Sequence, residues 1–161
     1  MNDYEKFLKL AINFLSYRPR TEKEIREKLN QKNAPPEITN QVIAFLKQNN
    51  FLNDADFSTQ WIQTRQNFRI KSKKAIKMEL LKKGINPETI EQALAGELHE
   101  EEGSGINDKE QAIKLVQKRI ARYKHLPKKE LYEKLGGFLA RRGFNWETIK
   151  TSIDQVYDSI K

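Results

Sequence analysis

Apolar residues recur every three or four positions along almost the whole chain, a spacing that predicts amphipathic helices. Phe7, Ala11 and Leu15 form such an apolar face in the first segment. Pro19 ends this segment, because its ring cannot continue a helix, and Thr21 is suited to begin the next one. Breaks of this kind divide the chain into nine helical segments. No window shows the sustained alternation typical of a strand, so we predict an all-α fold.

Residues suited to helix ends mark several of these boundaries. Thr21 and Glu24 have the spacing of a capping box, in which each side chain bonds the other residue's backbone amide. Pro36 fits the first turn of the third helix, where the amide hydrogen that proline lacks would have no partner. The fourth helix begins with a cap at either Asn53 or Asp54.

The helical pattern repeats about every 50 residues, as it does in arrays of small helical units. The stretches EIREKLNQKNAPPEI, AIKMELLKKGINPETI and KLGGFLARRGFNWETI align. Equivalent positions are Ile25, Ile76 and Leu135, then Leu29, Leu80 and Leu139, and finally Asn33, Gly84 and Gly143. Asn and Gly best tolerate the left-handed conformation at the end of a helix. We therefore predict three tandem three-helix repeats (residues 1–50, 51–100 and 107–161) that form an elongated, curved array, with a linker around 99–107.

The chain of 161 residues is basic, with 30 Lys and Arg against 22 Asp and Glu and a net charge of +8. The net charge is +3 over residues 1–49, −1 over 50–106 and +6 over 107–161. This excess fits a polyanionic partner, either nucleic acid or an acidic protein surface, although solubility alone is the simpler explanation. Cysteine is absent, which excludes disulfides and thiolate zinc sites. The charged first helix resembles neither a signal peptide nor a membrane span, so we expect a cytoplasmic monomer without membrane contact.

No group of residues has the spacing of a catalytic or metal site. His99 and His125 are the only histidines, and neither stands at metal-ligand spacing from another ligand. Asp54 and Asp56 are paired carboxylates, but at the start of a helix such residues usually serve as caps. Gly136–Gly137 lacks the Lys-Ser/Thr that follows a phosphate-binding loop. We therefore predict that the protein is not an enzyme and that it has no catalytic residues, bound metal or cofactor.

Basic side chains cluster in three stretches of the predicted helices, and over residues 65–83 they face a single acid, Glu79. Such groups bind phosphates or acidic protein patches, whereas a solvated helix face is the simpler alternative. The candidate binding residues are Arg65, Arg69, Lys71, Lys73, Lys74, Lys77, Lys118, Arg119, Arg122, Lys124, Lys128, Lys129, Arg141 and Arg142. We expect the simultaneous substitution of Lys71, Lys73, Lys74 and Lys77 by Glu to leave the fold intact and to weaken binding.

Phe57, Trp61 and Arg65 are spaced four residues apart and therefore lie on one helix face. We expect the two aromatic rings to pack into the core between repeats, with Arg65 stacked on them or ion-paired beside them. The alternative is that Trp61 serves as a platform on which a base stacks.

The same residues resemble the RecX family over about residues 5–157. LNDADFSTQWIQTR is similar to a family pattern of Leu-Asp-Asp, Phe-Ala, a bulky residue and Arg. ELLKKGINPETIEQAL, FLARRGFNWETI and FLSYRPRTEKEIREKL resemble further family blocks, in the family's order and spacing. The chain departs from the pattern at Asn53, where Asp is common, at Ser58, where Ala is common, and at Asn33, where Gly is usual.

The resemblance implies a non-enzymatic regulator of the recombinase RecA. RecX proteins bind the RecA filament on DNA and usually oppose its extension, ATP hydrolysis, strand exchange and co-protease action in the SOS response. We expect this chain to act by occupying the filament, and the basic residues named above are the candidate contacts with the filament or directly with DNA.

Two other functions remain as alternatives. TEKEIREKL would suit a helix-turn-helix protein that acts directly on DNA. Such a protein needs one recognition helix with polar side chains at its N-terminal end, whereas the corresponding helices here recur three times with similar apolar spacing. That recurrence favours an extended surface. An enzyme acting on nucleic acid is disfavoured, because no metal or nucleophile set is present.

Overall fold

The computed structural model describes residues 2–96 and 105–161. Within these residues the only regular secondary structure is α-helix. The prediction of an all-α fold is confirmed. The helices of the described part are α1 (Asp3–Ser16), α2 (Glu22–Gln31), α3 (Pro36–Gln48), α4 (Asp54–Asn67), α5 (Lys73–Lys82), α6 (Pro87–Ala95), α7 (Asp108–Tyr123), α8 (Lys128–Arg141) and α9 (Trp146–Ser159).

Side-chain caps begin most of the helices at the residues that the sequence indicates. The Thr21 hydroxyl accepts the Glu24 amide, and the Glu24 carboxylate accepts the Thr21 amide, so the capping box is confirmed. Asn53, rather than Asp54, caps α4 by accepting the amides of Ala55 and Asp56. Pro36 occupies the first turn of α3 as predicted.

Each consecutive set of three helices packs around its own apolar core. The first core contains Phe7, Ile25 and Leu46 among its buried residues, the second Ile62, Ile76 and Leu94, and the third Leu115, Leu135 and Ile153. The aligned pairs Ile25–Leu29, Ile76–Leu80 and Leu135–Leu139 are all fully buried. The predicted three-helix repeats are therefore present as three bundles.

The aligned residues after the second helix of each bundle adopt the same backbone conformation. The φ angle is 58° at Asn33, 79° at Gly84 and 91° at Gly143. These values lie in the left-handed region, which Gly adopts freely and Asn tolerates. The equivalence predicted from the sequence is confirmed in three dimensions.

Consecutive bundles are joined by the same set of contacts. In the first joint, the amide of Glu22, the first residue of α2, donates to Oδ1 of Asp54, the first residue of α4, at 3.0 Å. The Thr21 hydroxyl donates to the Lys83 carbonyl at 2.9 Å. Burial, reinforced by Glu22 and Glu24, raises the pKa of Asp54 although the Glu22 amide opposes the rise.

The second joint uses the equivalent residues of the second and third bundles, with one change of donor group. The amide of Lys73, the first residue of α5, donates to Oδ1 of Asp108, the first residue of α7, at 2.7 Å. The Ser72 amide donates to the Arg142 carbonyl at 3.0 Å, where Thr21 of the first joint used its hydroxyl. Gly143 approaches Ser72 and Ala75 so closely that a Cβ at Gly143 would lie 2.5 Å from the Ser72 hydroxyl oxygen.

The predicted linker around 99–107 falls mostly outside the described residues, as does His99. Ile106 is described and buried, and its amide donates to the Leu94 carbonyl at 3.2 Å, so it packs with the second bundle. His125 is described and exposed. None of the described helices is long and apolar enough to cross a membrane.

Candidate interaction surface

The fourteen predicted basic residues divide into side chains held by contacts inside the protein and side chains that are exposed. The exposed group is Arg69, Lys73, Lys74, Lys118, Arg122, Lys124, Lys128, Lys129 and Arg141. The others have structural partners within the bundles, and those partners decide which residues are available to bind.

Glu79, on α5, binds two of the predicted basic residues. Its carboxylate accepts hydrogen bonds from Nε–H of Arg65 at 2.8 Å and from Nε1–H of Trp61 at 2.9 Å, and it pairs with the Lys71 ammonium. Arg65 is only 12% exposed at the side chain. Burial raises the pKa of Glu79, but the bonds from Arg65, Lys71 and Trp61 together outweigh it, so the net pKa is lowered.

The aromatic pair on α4 packs with these cations. The rings of Phe57 and Trp61 stack with their centroids 5.7 Å apart, and the Arg65 guanidinium lies 4.5 Å from the centre of the Trp61 ring. The Lys83 ammonium lies 4.7 Å from the same centre. The expected stacking and ion pairing of Arg65 are confirmed, but the two rings pack in the core of the second bundle rather than between repeats. Because the Trp61 ring already has three partners, the structure gives no support to a base-stacking platform.

Lys77 also has a partner within the second bundle. Its ammonium pairs with the carboxylate of Glu91 on α6. Glu91 lies outside the 65–83 stretch, so counting charges along the sequence missed it. The stretch is therefore less uniformly positive in the folded protein than its sequence suggests.

Two arginines of the third bundle converge on one phenylalanine at the second joint. The guanidinium of Arg119, on α7, lies 3.8 Å from the centre of the Phe138 ring, and that of Arg142 lies 4.9 Å from it. Arg142 also donates to the Ile70 carbonyl at 2.8 Å. Burial, and secondly the neighbouring Arg119, lower the pKa of Arg142. These contacts bring all three basic stretches of the sequence to the second joint.

Four exposed cations are next in the chain to residues of this joint, and we call them the basic joint. Arg69 precedes Ile70, Lys73 donates its own amide to Asp108, Lys118 precedes Arg119 and Arg141 precedes Arg142. None of these four side chains forms an ion pair with a carboxylate of the described residues. They are therefore available for phosphates or for carboxylates of a partner.

Five exposed cations remain. Lys74 lies in the first turn of α5 and Arg122 in the last turn of α7. Lys128 begins α8, and its ammonium is 5.5 Å from the centre of the Tyr157 ring on α9. Lys124 and Lys129 flank the same turn. No group of three or more His, Asp or Glu side chains among the described residues is arranged to hold a metal ion.

One sequence signal of the joints escapes the helix-based alignment. Asn-Asp occurs at positions 2–3, 53–54 and 107–108, in each case after an apolar residue. Asn caps the helix in all three places, and Asp54 and Asp108 accept the amides that join the bundles. Leu52 and Ile106 bury their side chains before these caps. The dipeptide therefore marks where each bundle begins.

Three three-helix bundles in tandem, joined through the same contacts, define the class of protein to which this chain belongs. Family models for the first, second and third three-helix domains of RecX match residues 8–46, 53–94 and 107–153. The chain therefore belongs to the RecX family, which confirms the resemblance drawn from its motifs.

Similar proteins agree with this assignment. A regulatory protein RecX from Clostridioides difficile (strain 630) is 33% identical over 153 residues, which cover 95% of this chain and 69% of that protein. The regulatory protein RecX of Bacillus subtilis (strain 168) is 31% identical over 96% of this chain, which spans 56% of that protein's length. The crystal structure of RecX from Lactobacillus salivarius is 29% identical, with a TM-score of 0.79 over 98% of this chain and 97% of that one.

Proposed function

We propose that this protein binds the RecA filament on DNA and mostly inhibits its ATP hydrolysis, strand exchange and co-protease action. The observation that carries the proposal is the match of all three RecX domains, in order, along the chain. The proposed regulator works in the cytoplasm as a monomer, without a cofactor.

The basic joint supports this function physically. Its four exposed cations adjoin joint residues along the chain in both the second and the third bundle, so a partner that reached all four would contact both bundles. Charged groups at such a position steer association and fix the orientation of the partner. The protein acts by occupancy, because a bound regulator that bridges protomers or blocks a growing end needs no chemistry of its own.

The first test is a titration of RecA's DNA-dependent ATP hydrolysis with this protein below the recombinase concentration. A matched titration measures its affinity for the bare single-stranded DNA. We expect inhibition at substoichiometric amounts with weak binding to bare DNA. Inhibition only when the protein saturates the DNA would contradict the proposal and would favour a helix-turn-helix protein acting directly on DNA.

A charge-reversed variant tests the basic joint itself. Lys73→Glu combined with Lys118→Glu should raise the concentration needed for half-inhibition by about tenfold, because two ammonium groups that attract an acidic partner are replaced by carboxylates that repel it. Lys71 is unsuitable for this purpose, because it pairs with the partly buried Glu79 and its reversal would disturb the second bundle. That all four lysines can be reversed without harm to the fold stays a prediction, and the ion pair between Lys71 and Glu79 argues against it.

The matched control reverses two exposed lysines of the third bundle that are more than one helical turn along the chain from the four cations, as Lys134→Glu with Lys150→Glu. Both double variants change the net charge by the same amount. Equal loss of inhibition in the two variants would show that only overall charge matters, and would remove the basic joint from the interface.

A further inference from the structure

A second surface, in the first bundle, has the chemistry of a peptide-binding groove. A groove of about 450 Å³ lies between α1 and α2, and its floor is made by Leu10, Phe14 and Tyr17. Leu10 and Phe14 are half-buried, and Tyr17 is 84% exposed. None of these residues belongs to the basic joint, which lies between the second and third bundles.

Lysines border the groove on both sides. Two project from α1 and two from α2 or its C-terminal cap, and they are Lys6, Lys9, Lys28 and Lys32. No carboxylate of the described residues lines the groove, and none forms an ion pair with these four ammonium groups. The apolar floor is thus enclosed by unneutralised positive charge.

The neighbouring acids are engaged elsewhere. Glu5 accepts the Asn2 amide in the capping box of α1, Glu24 pairs with Arg18, and Glu27 lies 3.8 Å from Lys23. Two cations also lie beside the Phe14 ring, with the Arg20 guanidinium 3.8 Å and the Lys28 ammonium 5.2 Å from its centre. The groove therefore has cations beside its floor as well as along its rims, which favours an acidic partner.

The floor has the spacing of a helix-binding site. Leu10 and Phe14 are four residues apart on α1 and Tyr17 follows three residues later, so the apolar stripe is about 10 Å or two helical turns long. An amphipathic helix lays its apolar side chains into such a groove at a spacing of three and four residues. Carboxylates flanking those side chains would meet the lysines on both rims.

We propose that the groove between α1 and α2 binds an acidic amphipathic helix of a protein partner. Charge complementarity selects this occupant, because one face of the helix covers the apolar floor while both edges pair with lysines. A DNA backbone would meet the lysines but leave the aliphatic part of the floor uncovered. The site is separate from the basic joint and gives the regulator a second contact with its partner.

The test uses a defined probe, a fluorescein-labelled 14-residue peptide with Leu at helical spacing and Glu at the flanking positions. Fluorescence anisotropy should show binding that weakens as salt is added, since the contacts are partly ionic. Two control peptides replace either the Leu residues by Ser or the Glu residues by Gln, and both should bind at least about tenfold more weakly. If either control peptide bound as tightly as the probe, the proposal would be overturned. The same holds if the probe showed no binding with the protein in about 100-fold molar excess over it.

Variants of the protein then locate the site. Lys9→Glu with Lys32→Glu, one lysine from each rim, should weaken peptide binding at least about tenfold, while the control Lys134→Glu with Lys150→Glu should leave it within about twofold. A 15-nucleotide oligo(dT) that binds more tightly than the peptide through the same two lysines would assign the groove to nucleic acid instead. The peptide measurement contains no RecA, so its failure is distinguishable from failure of the proposed function.

Discussion

Glu79 is the residue at which the polar contacts of the second bundle meet. It accepts hydrogen bonds from Arg65, Lys71 and Trp61, which come from α4 and from the segment before α5. A carboxylate that binds several donors in a partly buried place stabilises the fold when it is ionised. Removing its charge leaves the largely buried Arg65 guanidinium without its counterion.

We therefore expect Glu79→Gln to lower the free energy of unfolding by about 1–3 kcal/mol at pH 7. The pKa of Glu79 in the folded protein lies below its ordinary value of 4.5. Its contribution is thus fully present above pH 4.5 and is lost as the pH falls through the lower folded-state pKa. Urea unfolding of both proteins between pH 3 and pH 7 should show the difference shrinking as the pH falls.

The control for this variant is Glu91→Gln, which removes the exposed carboxylate that pairs with Lys77. Exposed ion pairs contribute little because water and salt screen them. We expect its unfolding curve to overlay that of the parent protein. A Glu79→Gln difference that stays constant with pH would show that the charge of Glu79 is not the source of its effect.

Sequence reasoning succeeds at the residue scale where an interaction is local. The caps at Thr21 and Asn53 involve groups two or three residues apart, so their spacing in the sequence reveals them. The partners Arg65 and Glu79 are fourteen residues apart and meet only because α4 and α5 pack together. That packing determines which basic side chains remain exposed, and for this reason the candidate surface could not be read from charge alone.

At the scale of single helices, Gly136 is conspicuous because it lies inside α8. A Cβ at this position would meet Ile149 at 3.7 Å and Trp146 at 3.9 Å, which is ordinary van der Waals contact. Its backbone is helical, so the conformational freedom of Gly is not needed here. Close packing of α8 against α9 does not require the absence of a side chain.

Gly136→Ala should therefore stabilise the protein by about 0.5–1 kcal/mol, since Ala loses less backbone entropy than Gly when a helix forms. Thermal unfolding followed by circular dichroism would record the rise in Tm. Gly84→Ala provides the opposing control, because Gly84 has a φ of 79° and a Cβ there would lie 2.7 Å from Cβ of Lys23. A fall in Tm for Gly136→Ala would show that the space beside Ile149 is already filled.

Periodicity locates the helices well because each one buries a single apolar stripe. The core positions Ile25, Ile76 and Leu135 followed from spacing alone, and all three are fully buried. The end of α4 was harder to place. The turn after α4 contains neither Gly nor Pro to signal it in the sequence. Arg69 adopts the positive φ of 50° there, and Phe68 is exposed.

At the scale of the whole molecule, the two joints determine how the bundles are placed. Each joint combines an Asp at the start of one bundle with the N-terminal amide of the second helix in the preceding bundle. The sequence shows the Asn-Asp repeats, but it does not show that Asp54 and Asp108 accept these amides. The repeat was predictable, and the contact between repeats was not, because it joins residues 32 and 35 positions apart.

The four cations of the proposed interface adjoin the second joint along the chain, so we expect the geometry of the joint to affect function. Gly143 has a φ of 91°, and a Cβ there would lie 2.5 Å from the Ser72 hydroxyl oxygen and 2.8 Å from Cβ of Ala75. We expect Gly143→Ala to displace the third bundle from the second and to weaken inhibition of RecA's ATP hydrolysis by about tenfold or more. Small-angle scattering would detect the displacement, and far-ultraviolet circular dichroism would show that the helices persist.

Asn33→Ala separates backbone strain from disruption of the joint. Asn33 is the equivalent residue of the first bundle and also has a positive φ of 58°, but it takes no part in either joint. Placing Ala in the left-handed region costs roughly 1–2 kcal/mol per residue, so both variants should lose stability. Only Gly143→Ala should change the scattering profile and the inhibition. If Asn33→Ala reduced inhibition as much, or if Gly143→Ala left both measurements unchanged, the second joint would not govern how the protein meets the filament.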